Sequence, residues 1–175
     1  FVPLGEINFE GYTTLKQLSP QEAAKGSFKP FPVGTKRGAK WEYAWFRAEV
    51  KLPKAAQGER IVMRIKPGYE SVVRVNGREI GTQSHTDREL TLAKKAKGNE
   101  KFDILVETYS GHGVMEVGGG PSPYGHEMVP EAPSKQVTME TSQFGIWEEE
   151  LYQLWLDAET LLQISSAQKN PVSLL

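Results

Sequence analysis

The most suggestive metal-ligating pair in the sequence is His85 and Asp87. Residues two positions apart in an extended strand point to the same side of a sheet, so this pair could supply two ligands of a zinc site. A third ligand would have to come from His112 or His126, which both lie in a Gly/Pro-rich stretch. Because His-x-Asp pairs often arise by chance, we interpret this segment as a solvated loop that leads into a strand. We assign no metal ligand to this chain.

Two further patterns, a Gly-rich stretch and a run of three Glu, do not match the motifs of nucleotide binding or of glycosidase catalysis. The glycines between positions 111 and 120 lack the G-x-G-x-x-G spacing and are not followed by Lys-Ser/Thr, which argues against a nucleotide-phosphate loop. Glu148, Glu149 and Glu150 are consecutive, and on a helix they face apart. They therefore cannot flank one glycosidic bond as an acid and a nucleophile must. We interpret them as a dipole-favoured first turn of a helix, and we expect no catalytic residue in this chain.

An aromatic row offers a binding surface. Trp41, Tyr43 and Trp45 recur at a period of two, and in an unbroken strand they lie on the side opposite the next apolar row. Aromatic rings combine a large contact area with a polar tip, which suits a sugar platform or a contact with another domain. A β-bulge that turns the three rings into the core is the alternative. Of the two functional readings, we favour the interdomain contact.

The elements that position these residues are mostly strands. Apolar and polar residues alternate through residues 46–52, 61–65 and 102–108, and Asn76-Gly77 between two β-rich runs predicts a tight hairpin. Short strands separated by turns are typical of an antiparallel β-sandwich. The residues expected to face the core from these three runs are Phe46, Ala48, Val50, Leu52, Ile61, Met63, Ile65, Phe102, Ile104, Val106 and Thr108.

The pattern changes after Ser110. Residues 111–133 are rich in Gly and Pro and predict a long loop. From Phe144 the apolar residues recur at steps of three and four, which predicts an amphipathic α-helix that ends near Asn170-Pro171. We therefore expect a β-sandwich over residues 1–140, and a helix with a linker over 141–175. The expected docking face of the helix consists of Trp147, Leu151, Trp155 and Leu162.

The composition narrows the class of protein. The 175 residues include 21 Lys+Arg and 22 Asp+Glu, so the net charge of −1 does not favour nucleic-acid binding. No apolar run is long enough to span a bilayer, and a membrane partner is not expected. Cysteine is absent, which fits a reducing compartment such as the cytoplasm. Because the sequence opens on Phe1 in mid-pattern, without a signal peptide, we expect it to be a piece of a longer protein.

A resemblance to a known family rests on an ordered set of motifs. The succession YAWFRAEVKLP, VVRVNGREIG, DRELTL and FDILVETYSGHG resembles the galactose-binding-like jelly roll found as an accessory domain in many glycoside hydrolases. The later segment ELYQLWLDAETLLQIS resembles the N-terminal region of α-mannosidases of glycoside hydrolase family 38. Together these motifs run from about Trp41 to Ile164.

The resemblance implies a noncatalytic N-terminal domain of a cytoplasmic α-mannosidase. Zinc and the catalytic residues would belong to a catalytic domain outside this chain, so no cofactor is expected here. The partner would be that catalytic domain, and the parent could be homo-oligomeric. Two alternatives remain open: an autonomous carbohydrate-binding module, and an accessory sandwich of another hydrolase such as a β-galactosidase or rhamnosidase.

Overall fold

The computed structural model describes residues 1–84, 89–111 and 136–169. Within these ranges the chain forms antiparallel strands, a short helix α1 (Pro20–Ala23), a 3-10 turn (Lys54–Ala56) and a long helix α2 (Glu149–Lys169). The strands are β1 (Val2–Glu6), β2 (Glu10–Thr14), β3 (Lys29–Pro30), β4 (Lys36–Arg37), β5 (Tyr43–Lys51), β6 (Ile61–Arg64), β7 (Ser71–Val75), β8 (Arg78–Gln83), β9 (Glu89–Ala93), β10 (Lys101–Tyr109), β11 (Val137–Thr138) and β12 (Gln143–Ile146).

Two antiparallel sheets form the sandwich. The larger has the order β3-β2-β5-β10-β7-β8, and the smaller has the order β1-β12-β6-β9. A two-stranded ribbon pairs β11 with β4. The mainly antiparallel sandwich predicted from the sequence is confirmed.

The core lies between the two sheets and follows the predicted alternation. Phe46 and Val50 of β5 are buried beside Ile104 and Val106 of β10, and Met63 and Phe144 from the smaller sheet share the same cluster. Strand β5 pairs with β10 over nine consecutive residue pairs, from Tyr43–Tyr109 to Lys51–Lys101. The unbroken register keeps one side of β5 facing inward along its whole length. We call the opposite side of the larger sheet the outer face.

The predicted hairpin is the β7–β8 connection. Asn76 has φ of 50° and Gly77 has φ of 74°, so both central residues occupy the left-handed region that a type I′ turn requires. The Asn76 side-chain oxygen also accepts a hydrogen bond from the Asp103 backbone N–H at 2.9 Å. This bond fastens the turn to β10.

The end of the sandwich differs from the sequence expectation. Phe144, where the helical pattern was expected to begin, lies in β12, and β12 is hydrogen-bonded between β1 and β6. The sandwich therefore extends to Ile146, beyond the expected boundary at 140, and the helix begins only at Glu149. Trp147, which was expected on the helix, donates its backbone N–H to the Arg60 carbonyl at 2.9 Å and so continues the sheet. The apolar residues of β12 and α2, taken together, recur at steps of three and four. The sequence pattern therefore indicated a helix that began too early.

One end of the core is polar. Thr108, Ser71 and Gln83 are neighbours in register on β10, β7 and β8, and all three are buried. Arg37 is buried nearby, where its guanidinium lies 5.1 Å from the centre of the Phe46 ring. Its Nη2 donates to the Pro67 carbonyl at 2.7 Å, whereas no partner for Nε or Nη1 is found in the described part of the chain.

Candidate interdomain surface

Helix α2 is anchored to the sandwich at its first turn. The Trp147 indole Nε1 donates to Glu149 Oε2 at 2.8 Å, and Arg60 Nη1 lies 2.6 Å from the same oxygen. The Arg60 guanidinium is also 5.7 Å from the Trp147 ring centre. A hydrogen bond from Gln153, followed by those from Trp147 and Arg60, lowers the pKa of Glu149. A carboxylate in the first turn also interacts favourably with the helix dipole.

Beyond this anchor, α2 carries an apolar stripe that is exposed. We define the α2 stripe as the helix positions that recur at steps of three and four on one side. Its large members are between 56% and 67% exposed, which is far more than a core-facing helix shows. The large members of the α2 stripe are Leu151, Leu154, Trp155, Leu161 and Leu162.

Three of the four residues predicted as a docking face belong to this surface. Leu151, Trp155 and Leu162 lie on one side of α2, because 100° per residue brings them within about 40° of each other around the axis. Trp147 lies outside the helix, and its ring packs against Tyr152 with centres 4.8 Å apart. Leu154 and Leu161 follow the same apolar spacing in the sequence, although the expected docking face did not include them.

The structure separates the three aromatic residues of the predicted row. Trp41 precedes β5 with φ of 62°, and its backbone N–H donates to the Gly111 carbonyl at 2.6 Å. Tyr43 lies on the outer face and stacks on Tyr109, with ring centres 4.6 Å apart and planes at 27°. Partial burial raises the pKa of Tyr109, and the electrostatic effect of Tyr43 raises it further. Trp41 therefore does not continue the row, because the strand starts after it.

Trp45 is on the outer face but is not available as a platform. The unbroken β5–β10 register excludes the bulge considered as the alternative, and Trp45 is absent from the core cluster between the sheets. Its side chain is nevertheless 0% exposed, and the Arg74 guanidinium lies 5.8 Å from its ring centre. Of the two row members in β5, Tyr43 is the accessible one, and it forms an aromatic surface with Tyr109.

The residues that were weighed and rejected as metal ligands lie outside the described part of the chain. His85, Asp87, His112 and His126 all lie outside the described residues. Across residues 1–84, 89–111 and 136–169 there is no cluster of three or more His, Asp or Glu side chains arranged to hold a metal ion. Within the same ranges, no helix combines the length and apolar character needed to cross a bilayer.

Comparison with known families decides the assignment. The family model of the alpha-mannosidase jelly roll domain, described as the Ams1-like first domain, matches residues 3–146. The chain belongs to this family. The match covers the sandwich from β1 to the end of β12, so this jelly roll domain ends where α2 is about to begin.

The curated relatives that match this chain include alpha-mannosidase 2C1 from two species. The jelly roll domain and its helix are 20% identical to alpha-mannosidase 2C1 of Mus musculus over 162 residues, and 23% identical to alpha-mannosidase 2C1 of Homo sapiens over 158 residues. These alignments cover 91% and 88% of this chain but 15% of each relative. The chain thus spans about one seventh of the length of the curated relatives it matches.

Solved structures include more distant neighbours. The chain matches the beta-glucuronidase of Ruminococcus gnavus with a TM-score of 0.40 and 17% sequence identity, covering 61% of this chain and 20% of that one. A second structure of the same enzyme gives a TM-score of 0.42 at 16% identity, over 60% of this chain and 20% of that one.

Proposed function

We propose that this chain is the noncatalytic N-terminal domain of an α-mannosidase, and that the α2 stripe binds the remainder of the same polypeptide. The exposed α2 stripe carries this proposal. It directly follows the matched jelly roll domain, in a chain that spans 15% of its curated relatives. An exposed patch of this kind on a stable domain normally marks an interaction surface.

The role proposed for the sandwich is architectural. Several surface carboxylates are paired with basic side chains of neighbouring strands, among them Glu10 with Arg47, Glu49 with Lys101 and Glu107 with Arg74. Hydrolysis of α-mannosidic bonds would be the work of a separate catalytic domain, with zinc bound there. The absence of cysteine fits the cytoplasm as the location of such a protein.

The enzymatic part of the proposal is tested with two proteins. The 175-residue chain and the longer gene product are assayed with an aryl α-mannoside, before and after chelation and with zinc added back. We expect zinc-dependent turnover from the longer protein and none from the 175-residue chain. Turnover by the 175-residue chain alone would contradict the proposal.

The docking part is tested by placing charge on the α2 stripe. In the longer protein, Leu151→Glu with Leu162→Glu should expose α2 to hydrogen exchange and proteolysis, because burying two unpaired carboxylates is costly. Thr160→Glu is the matched control, since it lies about 160–180° from these two residues around the helix. Equal protection of α2 in the double variant and in the wild-type protein would refute docking through the stripe.

A further inference from the structure

The outer face of the larger sheet contains a groove of about 590 Å³ that is separate from the α2 stripe. It lies across β2, β5 and β10, between the segment that follows α1 and the β7–β8 turn. A volume of this size is within the range that holds a small ligand. The side chains that matter to its chemistry are Glu10, Phe28, Arg47, Glu49, Asp103 and Leu105.

One wall of the groove is held in place before any ligand arrives. Arg47 Nε and Nη2 lie 2.8 and 2.7 Å from Glu10 Oε2, and the guanidinium is 4.4 Å from the centre of the Phe28 ring. Phe28 packs edge-on against Tyr12 with ring centres 5.0 Å apart, and the Tyr12 hydroxyl donates to the Ala23 carbonyl at 2.9 Å. An exposed ion pair adds little stability. Its geometry does, however, fix the position of the guanidinium, and because Nε and Nη2 both bond to Glu10, Nη1 is the donor left for a ligand.

The opposite part of the groove presents acceptors. Asp103 and Glu49 are direct cross-strand neighbours on β10 and β5, and like charges in that position repel. Lys101 Nζ lies 3.0 Å from Glu49, whereas the described residues supply no donor to the Asp103 carboxylate. With Glu10 paired to Arg47 and Glu49 paired to Lys101, Asp103 leaves an excess of negative charge. The groove therefore favours a ligand rich in hydrogen-bond donors over an anion.

Leu105 supplies the apolar surface of the groove. It is the register neighbour of Arg47 and sits two residues along β10 from Asp103, about 7 Å away along the strand. Leu105 is half-buried, and it lines the groove beside Asp103 on β10 and across the strand pair from Arg47. A sugar ring matches this arrangement, because its C–H face packs on an apolar side chain while its hydroxyl groups donate to carboxylates and accept from a guanidinium.

The position of the groove argues against a peptide strand as the occupant. Strands β5 and β10 are hydrogen-bonded on both sides, and β3 covers β2 at Glu10 and Gly11, so the sheet offers no free edge at the groove for strand addition. Recognition must then use side chains alone. We propose that this groove binds a neutral oligosaccharide, with Asp103 accepting hydrogen bonds from adjacent sugar hydroxyls and Arg47 donating to a sugar oxygen.

The experiment is a titration of the ¹⁵N-labelled 175-residue chain, followed by NMR. The probes are α-1,2-mannobiose and cellobiose, and the reporters are the backbone amides of Asp103 and Leu105 and the side-chain Nε–H of Arg47. We expect saturable shifts at these three positions with at least one disaccharide. Asp103→Asn removes the charge with little change in shape, and it should weaken binding at least tenfold. Asp157→Asn on α2 is the matched control and should bind as the wild-type chain does.

Three results would overturn the proposal. They are the absence of saturable shifts with both sugars, equal affinity in the Asp103→Asn variant, and shifts at these reporters with tetralysine but not with either sugar. The last result would identify the groove as a site for cationic peptides. The inference draws on the proposed function only for the choice of the mannose probe. Binding of cellobiose alone would support the groove as a sugar site whatever the longer protein hydrolyses, and turnover assays test that activity separately.

Discussion

Large apolar side chains are buried in the sandwich but exposed on α2. Trp45 is 0% exposed and Phe46 is 1% exposed on β5, whereas Trp155 is 56% and Leu162 is 65% exposed on α2. Burial of a large apolar side chain contributes about 1.5–3 kcal/mol to folding. The sandwich therefore stabilises itself with its own side chains. The α2 stripe gains this contribution only when another surface covers it.

The largest difference between the two regions should appear when one large apolar residue is truncated in each. Phe46→Ala should lower the free energy of unfolding of the 175-residue chain by about 3–5 kcal/mol, because it leaves a cavity between the sheets. Leu162→Ala, its matched partner on α2, should change it by less than about 0.5 kcal/mol. Denaturant unfolding followed by tryptophan fluorescence measures both. Similar losses in the two variants would show that α2 already has a partner within this chain.

A second prediction concerns β12, the last strand of the sandwich before α2. Gly145 lies in β12, and a Cβ added there would clash with the Val2 carbonyl oxygen on β1. Because that neighbour is backbone, Gly145→Ala must displace β1, and we expect a loss of about 1–3 kcal/mol. Hydrogen exchange should show the amides of β1 losing protection while those of β10 keep theirs. Unchanged protection of β1 would contradict this prediction.

The same contrast explains which parts of the fold could be predicted from the sequence. Local rules were enough where a pattern is periodic or where a turn has one solution, as with the inward row from Phe46 to Val50 and the Asn76-Gly77 hairpin. Strand β1 escaped prediction because Pro3 and Gly5 interrupt its alternation, and it is fixed by pairing with β12 near the other end of the sequence.

The candidate sites were harder to predict because their partners are distant in sequence. Arg47 meets Glu10 through pairing of β5 with β2, and Asp103 faces Glu49 through pairing of β10 with β5. No local spacing carries that information. The burial of Trp45 could not be predicted from the sequence either, because its period-two position only places it on the outer face and does not show whether other side chains cover it there. The stripe on α2 was largely predictable because a helix brings its own residues together.

A third prediction concerns the polar end of the core. Burial lowers the pKa of Arg37 to about 10, partly offset by Glu42 and then Tyr69, so its charge opposes folding at neutral pH. Because Nε and Nη1 have no partner among the described residues, Arg37→Met should raise the free energy of unfolding by about 1 kcal/mol at pH 7. A loss of similar size in thermal or denaturant unfolding would contradict this assignment.

The pH dependence of the Arg37 effect has a definite sign. As the pH rises through about 10, the folded wild-type chain loses the Arg37 proton that the unfolded chain still binds. The stability of the wild-type chain should then rise relative to Arg37→Met, and the advantage of the variant should shrink. Paired unfolding curves at pH 7 and pH 10 measure this change.

The smallest effect is expected at the anchor of α2, where the first turn of the helix contacts the sandwich. Hydrogen bonds from Gln153, Trp147 and Arg60 lower the pKa of Glu149, so the carboxylate titrates below its usual 4.5. An acid whose pKa is lowered by folding stabilises the folded form above its unfolded pKa, and this contribution is lost as the pH falls through the folded value. The helical signal of α2 at 222 nm should therefore decrease through that acidic range. Glu149→Gln should remove this pH dependence, whereas Asp157→Asn should retain it. A carboxyl titration of Glu149 by NMR with a midpoint at or above 4.5 would contradict the proposed anchor, because the three donors would then not be bonded to it in solution.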